Sequence, residues 1–188
     1  MFQLVFTESE YRVVKDIKKR LLYSEESIDR RVRELADTLS LDYKGRDVVI
    51  VCVLKGAFIF LADLTRYLGI SYVVDFVRLR SYGSQSESSG TVTVTKDIEV
   101  SVEGRDVIIL EDIVDTGTTL VYLKDMLEKR NPASLKICTL IDKKERRVVE
   151  IDADYVGFDL DEGFVVGYGL DFDEHFRCLR SVYVIEEW

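Results

Sequence analysis

Two short runs of this chain have no polar face. "DVVIVCVL" (47–54) and "DVIILE" (106–111) are apolar at nearly every position after the leading aspartate. A strand with one face in water alternates apolar and polar residues, whereas a strand covered on both faces does not need to. Such strands need helices layered over the sheet and long crossovers between parallel neighbours. "SEESIDRRVRELADTLS" (24–40) opens with a capping serine and early acids, then places Ile28, Val32, Leu35 and Leu39 on one stripe, the pattern of an amphipathic helix. "GAFIFLADLTRYLG" (56–69) reads as a helix ended by Gly69, and "TTLVYLKDMLEKR" (118–130) as one stopped by Asn131-Pro132. "SLKICTLID" (134–142) adds a further strand. "YVVDFVRLRSY" (72–82) and "TVTVTKDIEV" (91–100) are partly alternating strands on either side of "GSQSESSG", whose polar, glycine-bounded composition is that of a loop. The pattern predicts an open, mostly parallel α/β sheet with flanking helices and right-handed crossovers. At 188 residues one domain is expected.

Composition narrows the function classes. No apolar run approaches the roughly 18 residues of a membrane span, and "MFQLVFTESEYRVVKD" lacks the basic start and apolar middle of a signal peptide. Cys52, Cys138 and Cys178 are odd in number and lack metal-ligand spacing. Two of them sit inside strand-like apolar runs, which suits free thiols in a reducing cytoplasm. The formal net charge of −9 disfavours a general nucleic-acid binder and requires a local positive site for any polyanionic substrate.

Ligands of an open α/β sheet bind beyond the carboxyl ends of its strands. There "LKG" (54–56), "EDIVDTGTT" (111–119) and "DKKE" (142–145) converge, each directly after a strand. Small residues before a helix let successive backbone N–H groups point into one cavity. Together with the helix dipole they make an anion site, to which Thr116, Thr118 and Thr119 add hydroxyls. The acids Glu111, Asp112 and Asp115 would repel a phosphate placed on them. Ribose hydroxyls, a magnesium ion or a proton to be removed are their sensible targets. Mere charging of a helix N-terminus, worth about 0.3–1 kcal/mol per acid, needs fewer acids than these. "DTGT" also marks the loop of aspartic proteases, but that chemistry needs two facing loops in a β-rich fold. Here one loop joins a strand to a helix.

"VIILEDIVDTGTTL" (107–120) resembles the phosphoribosyl-pyrophosphate signature of the type I phosphoribosyltransferases. "VLKGAFIFLADL", "RSYGSQSESSG" and "FVVGYGLDFDEHFR" are similar to segments of the hypoxanthine/guanine branch of that family, in the same order, over roughly residues 24 to 186. The resemblance implies a core over about 24–158 and a small hood lobe built from the N-terminal segment and about 159–188. It implies a transferase that moves the 5-phosphoribosyl group from phosphoribosyl pyrophosphate to N9 of a 6-oxopurine, with Mg2+. Glu111 and Asp112 would hold the ribose hydroxyls directly or through the metal, and Asp115–Thr119, including Gly117, would wrap the 5-phosphate. Asp115 would also serve as general base near purine N7. Lys55 and Gly56, after a cis peptide bond, would meet the pyrophosphate together with Arg177. Lys143 would donate to the 6-oxo group, Phe164 would stack on the base, and the backbone of Val165 would read it. Asp171 would be a further magnesium carboxylate beside the base. The segment 82–90, with Ser81-Tyr82 at its base, would close as a lid.

The same resemblance implies a cytoplasmic homodimer or homotetramer with small-molecule substrates, and neither nucleic acid nor membrane as partner. Each residue taken alone has a plainer meaning: Lys55 or Lys143 as a solvated strand end, Phe164 as core, Arg177 as a partner for any nearby acid, His175 as incidental. A rival from another class shares the fold, a regulator that binds nucleic acid and uses the phosphoribosyl site to sense ligand. "KKERR" (143–147) is the one basic cluster available to it, and it overlaps the base-binding loop.

Overall fold

The computed structural model describes residues 17–84 and 87–187, with the side chains of 81–91 outside the description. In chain order the elements are β1 (Lys18–Tyr23), α1 (Glu25–Asp42), β2 (Val48–Leu54), α2 (Phe58–Tyr67), β3 (Tyr72–Ser84), β4 (Glu87–Lys96), β5 (Asp106–Val114), α3 (Thr118–Glu128), β6 (Ser134–Lys143), β7 (Tyr155–Leu160), β8 (Val165–Val166) and β9 (Val182–Glu187).

The main sheet has the order β4-β3-β2-β5-β6-β7. All neighbours are parallel except the β3–β4 hairpin at one edge. The runs without a polar face sit at its centre for the reason their composition suggests. Val48, Ile50 and Cys52 of β2, with Ile108 and Leu110 of β5, pack against Ile28, Val32, Leu35 and Leu39 of α1 and Phe60 and Leu64 of α2. Val49, Val51 and Val53, with Val107 and Ile109, face Leu120, Leu123 and Leu127 of α3 on the other side. Each fully buried side chain of this size contributes about 1.5–3 kcal/mol relative to exposure. The chain ends form a second, antiparallel sheet in the order β1-β9-β8, whose Val165 and Val182 join the α1/α2 side of the core.

The local signals for α1 and α3 hold. The Ser24 hydroxyl accepts from the Ser27 N–H at 3.3 Å, and Asn131 adopts φ 55 three residues past the end of α3 at Glu128. Gly69 does not act as a left-handed cap. Leu68 closes α2 in extended geometry, and the Gly69 N–H donates to the Ser40 hydroxyl at 2.9 Å. The strand expected over 91–100 stops at Lys96, because buried Asp75 draws the following backbone away, accepting from the N–H groups of Glu99 (2.5 Å) and Val100 (2.8 Å). At the other end the hairpin strands reach further into the expected loop, to Ser84 and from Glu87. Ser81 and Tyr82 pair with Val92 and Thr91 on the backbone. Their side chains and the tip of the expected lid lie outside the described residues.

Candidate active site

The acids do not begin where β5 ends; they ride on it. The last pair of β5 with β2 is Cys52 with Leu110, whereas on the β6 side pairing continues from Glu111 with Thr139 to Val114 with Asp142. β5 therefore stays paired on one side only, and Glu111 and Asp112 face a notch where β2, still paired with β3 to Leu54, has parted from β5. β2 leaves through a cis peptide bond between Leu54 and Lys55. The turn that follows is boxed in on both sides. A Cβ on Gly56 would overlap the Asp112 carboxylate, and a Cβ on Gly169 (φ +98) would overlap the Gly56 carbonyl oxygen. Only glycine allows the Lys55–Gly56 turn to lie between β5 and the tail.

Two adjoining cavities open on this notch. One, of about 300 Å³, is lined by Lys55, Gly56, Glu111, Thr116, Gly117 and Arg177 among others, and Thr119 also reaches it. The second, of about 190 Å³, takes in Lys143, Phe164 and Val165. Asp112, Asp115 and Asp171 belong to both. Every candidate residue with a described side chain therefore borders one of the two, except Thr118. It is the first residue of α3 and lines neither cavity.

In the larger cavity Gly117 caps α3 at φ +82, and a Cβ there would press on Ile151 and Val149 at 2.7 and 2.8 Å. Its left-handed geometry turns the chain into the helix so that the first N–H groups of α3, which have no intrahelical acceptor, face the cavity end. Lys55 and Arg177 supply positive charge on the opposite wall. Both are tied down: Lys55 Nζ to Glu174 at 2.8 Å, Arg177 to Asp171 at 2.8 Å and to Glu174 at 3.1 Å. Beneath them the adjacent Glu111 and Asp112 carboxyls are held above the ordinary carboxylate range, chiefly by burial and for Glu111 also by the charge of Asp112. Burial pushes the Cys52 thiol up to about 12, so it is no nucleophile near neutral pH.

Two buried like charges side by side call for a cation or hydroxyl donors. The oxygen-only donor set of Glu111, Asp112 and Asp171 suits magnesium. Among the described residues no group of three or more His, Cys, Asp or Glu converges on one metal position. The three acids do not form one protein cage.

In the smaller cavity Lys143 is buried at 6% exposure, bonded to Glu145 at 3.1 Å and 4.0 Å from Asp115 Oδ1. That Asp115 oxygen is buried and accepts no hydrogen bond from the described residues. A buried acceptor without a donor, facing a cavity, is suited to a donor on a ligand. Phe164 borders the cavity, 37% exposed as a residue, with its ring edge-on to Phe172 at 5.9 Å and its carbonyl accepting from the Ile185 N–H at 2.9 Å. His175 and Phe172 exchange backbone hydrogen bonds in an isolated antiparallel bridge.

Three contributors escaped the sequence reading. Arg147 donates to the carbonyls of Asp115 (2.9 Å), Val114 (3.1 Å), Lys143 (3.3 Å) and Ile151 and to the Asp142 carboxylate, so one guanidinium fixes the loops of both cavities. In the sequence it stood only as one member of the basic cluster "KKERR". Gly169 and Glu174 were unreadable because the contacts that give them meaning, with Gly56 and Lys55, span more than 100 residues of sequence. A larger cavity of about 740 Å³ lies away from the strand ends, between α1, α2 and the tail. Its acids Asp29 and Asp63 are already bonded to the hydroxyls of Tyr67 and Tyr168 at 2.7 and 2.8 Å. No described helix is long and apolar enough to cross a membrane.

Residues 22–173 match the family model described as the phosphoribosyl transferase domain. A hypoxanthine-guanine phosphoribosyltransferase of Streptococcus thermophilus is 49% identical over 173 residues, covering 92% of this chain and 96% of its own. One from Aquifex aeolicus is 46% identical over 171 residues, covering 90% and 96%. The crystal structure of a hypoxanthine-guanine phosphoribosyltransferase from Bacillus anthracis, with a HEPES molecule in its active site, superposes with a TM-score of 0.86 at 44% identity. It covers 91% of this chain and 100% of its own.

Proposed function

Since the chain belongs to the phosphoribosyl transferase family, we propose that it is a hypoxanthine-guanine phosphoribosyltransferase, working in purine salvage as its relatives' names indicate. The observation that carries this reading is the pair of cavities sharing Asp115. One is lined by an anion-binding helix start and two cations, the other by a buried lysine and an aromatic face.

Phosphoribosyl pyrophosphate places its 5-phosphate on the backbone of Asp115–Thr119, where the start of α3 offers N–H donors. Glu111 and Asp112 accept from the ribose hydroxyls and stabilise positive charge on the ring as the C1–O bond breaks. Lys55, the Gly56 turn and Arg177 neutralise the departing pyrophosphate. N9 of the purine forms the new bond to C1 from the opposite face, and Asp115 takes the proton lost from the base at N7. Lys143 donates to the 6-oxo oxygen, Phe164 covers the ring and the Val165 backbone reads its edge. Asp171, and Glu111 with Asp112, would hold magnesium, which would supply positive charge against the polyanionic substrate. We read core and hood as one domain acting in the cytoplasm, assembled as a homodimer or homotetramer, an assembly that light scattering would test.

The test is pyrophosphate release from phosphoribosyl pyrophosphate and magnesium, with hypoxanthine, guanine, xanthine and adenine offered separately and Asp115→Asn alongside. Turnover with 6-oxopurines and not adenine, weakened by at least about 10²-fold in the variant, is expected, the usual scale of general-base removal. Silence with all four bases, despite magnesium-dependent binding of phosphoribosyl pyrophosphate, would point instead to the ligand-sensing regulator.

A further inference from the structure

Both cations of the pyrophosphate wall are held by one acid. Glu174 Oε1 lies 2.8 Å from Lys55 Nζ and Glu174 Oε2 lies 3.1 Å from Arg177 Nη2, so one carboxylate spans the two side chains. The backbone presents it deliberately. Asp173, Glu174 and Phe176 all adopt left-handed geometry (φ 48, 65 and 72), and the Glu174 N–H is tied to Asp171 Oδ2 at 2.8 Å. Left-handed backbone at non-glycine residues is sparsely populated and concentrates where surroundings impose it for function. The pair of contacts is also incomplete. Arg177 Nε is buried and donates to no described acceptor, so Glu174 and Asp171 leave this guanidinium with one donor unmet.

We propose that Glu174 is an internal stand-in for pyrophosphate, a positioning residue for the proposed reaction. It holds Lys55 and Arg177 at the cavity wall. An entering pyrophosphate group takes both cations from it and adds an acceptor for Arg177 Nε. As pyrophosphate departs, Glu174 closes on the cations again and speeds the release. The inference rests on the function proposed above. It carries the corollary that the site is tuned for turnover: an acid beside a polyanion site weakens binding of substrate and product alike and keeps the product from lingering.

The experiment is calorimetric titration of inorganic pyrophosphate with magnesium, and separately of inosine monophosphate, into the wild-type chain, Glu174→Gln and Glu103→Gln. Glu103 is exposed and borders neither cavity, so it reports the effect of removing one negative charge elsewhere. Two exposed ion pairs released together correspond to roughly tenfold in affinity. Glu174→Gln should therefore bind pyrophosphate roughly tenfold more tightly than wild type, with inosine monophosphate affinity unchanged and Glu103→Gln indistinguishable from wild type. Its KM for phosphoribosyl pyrophosphate should fall together with kcat. Pyrophosphate affinity in Glu174→Gln equal to or weaker than wild type would overturn the inference while leaving the proposed function standing. Equal tightening of both ligands would overturn it in favour of a general field effect. Failure of wild type to bind either ligand would overturn both the inference and the function it rests on.

Discussion

Gly56→Ala is the smallest perturbation that reaches the centre of the site. The added methyl would overlap the Asp112 carboxylate, and the turn cannot retreat, since its carbonyl already sits against Gly169. Either Asp112 shifts within its buried pocket or the Lys55–Gly56 turn lifts off β5. Overpacking of this kind costs about 1–3 kcal/mol. A chain of this size loses roughly 2–4 °C of Tm per kcal/mol, so a fall of roughly 2–12 °C is expected. Activity should suffer more than stability. A misplacement on the order of 1 Å at a reacting centre costs about 10²-fold in rate, and Asp112 belongs to both cavities. Gly69→Ala is the matched control: its Cβ would meet Ser40 at an ordinary 3.7 Å, and the N–H that bonds Ser40 is retained. Pyrophosphate release and thermal melts on both variants read the two effects separately. Gly56→Ala turning over within threefold of wild type, about 0.6 kcal/mol on the barrier, would refute the requirement for a bare backbone between Asp112 and Gly169.

Two further outcomes follow from contacts away from the reacting atoms. Arg147→Met removes a half-buried donor to four carbonyls and one carboxylate and leaves buried Asp142 with exposed Lys144, at 3.8 Å, as its cation among the described residues. A loss of about 3–5 kcal/mol in denaturant unfolding is expected, with KM rising for base and phosphoribosyl pyrophosphate together; a rise for one substrate alone would contradict its shared role. Burial raises the Asp75 pKa, but N–H bonds from Val100, Phe76 and Glu99 outweigh it and hold the group below 3.8. Because the folded pKa is depressed, its stabilisation is present above the unfolded pKa and lost as pH falls through the folded one. The Tm gap between wild type and Asp75→Asn should therefore be widest near neutral pH and narrow below 3.8, and a gap constant from pH 7 to 3 would contradict this.

Much of the fold was legible because its signals are local. The runs at 48–54 and 106–110 have no polar face, and the stripe Ile28, Val32, Leu35 and Leu39 marks α1 unambiguously. Boundaries failed where a distant side chain decides them. Asp75 ends β4 early, and pairing with β6 alone carries β5 past its apolar run to Val114. In the site, residues within a continuous motif were readable: Glu111 to Thr119 had the composition of a ribose and phosphate cradle before any geometry was known. Lys143, Phe164 and Arg177 were readable only through resemblance, since a single lysine, phenylalanine or arginine has a commoner structural use. Gly169, Glu174 and Arg147 were not readable at all. Their meaning lies in contacts with Gly56, with Lys55 and with the two cavity loops, and only the folded chain brings these together.

The division of labour along β5 and its loop is the central claim, and a crystal structure of the chain with inosine monophosphate, magnesium and pyrophosphate tests it most directly. The 5-phosphate should lie on the backbone of Asp115–Thr119, the ribose hydroxyls on Glu111 and Asp112, the 6-oxo oxygen on Lys143, and the pyrophosphate against Lys55 and Arg177. A nucleotide phosphate seated on Lys55 and Arg177, or a base lodged away from Lys143 and Phe164, would contradict it.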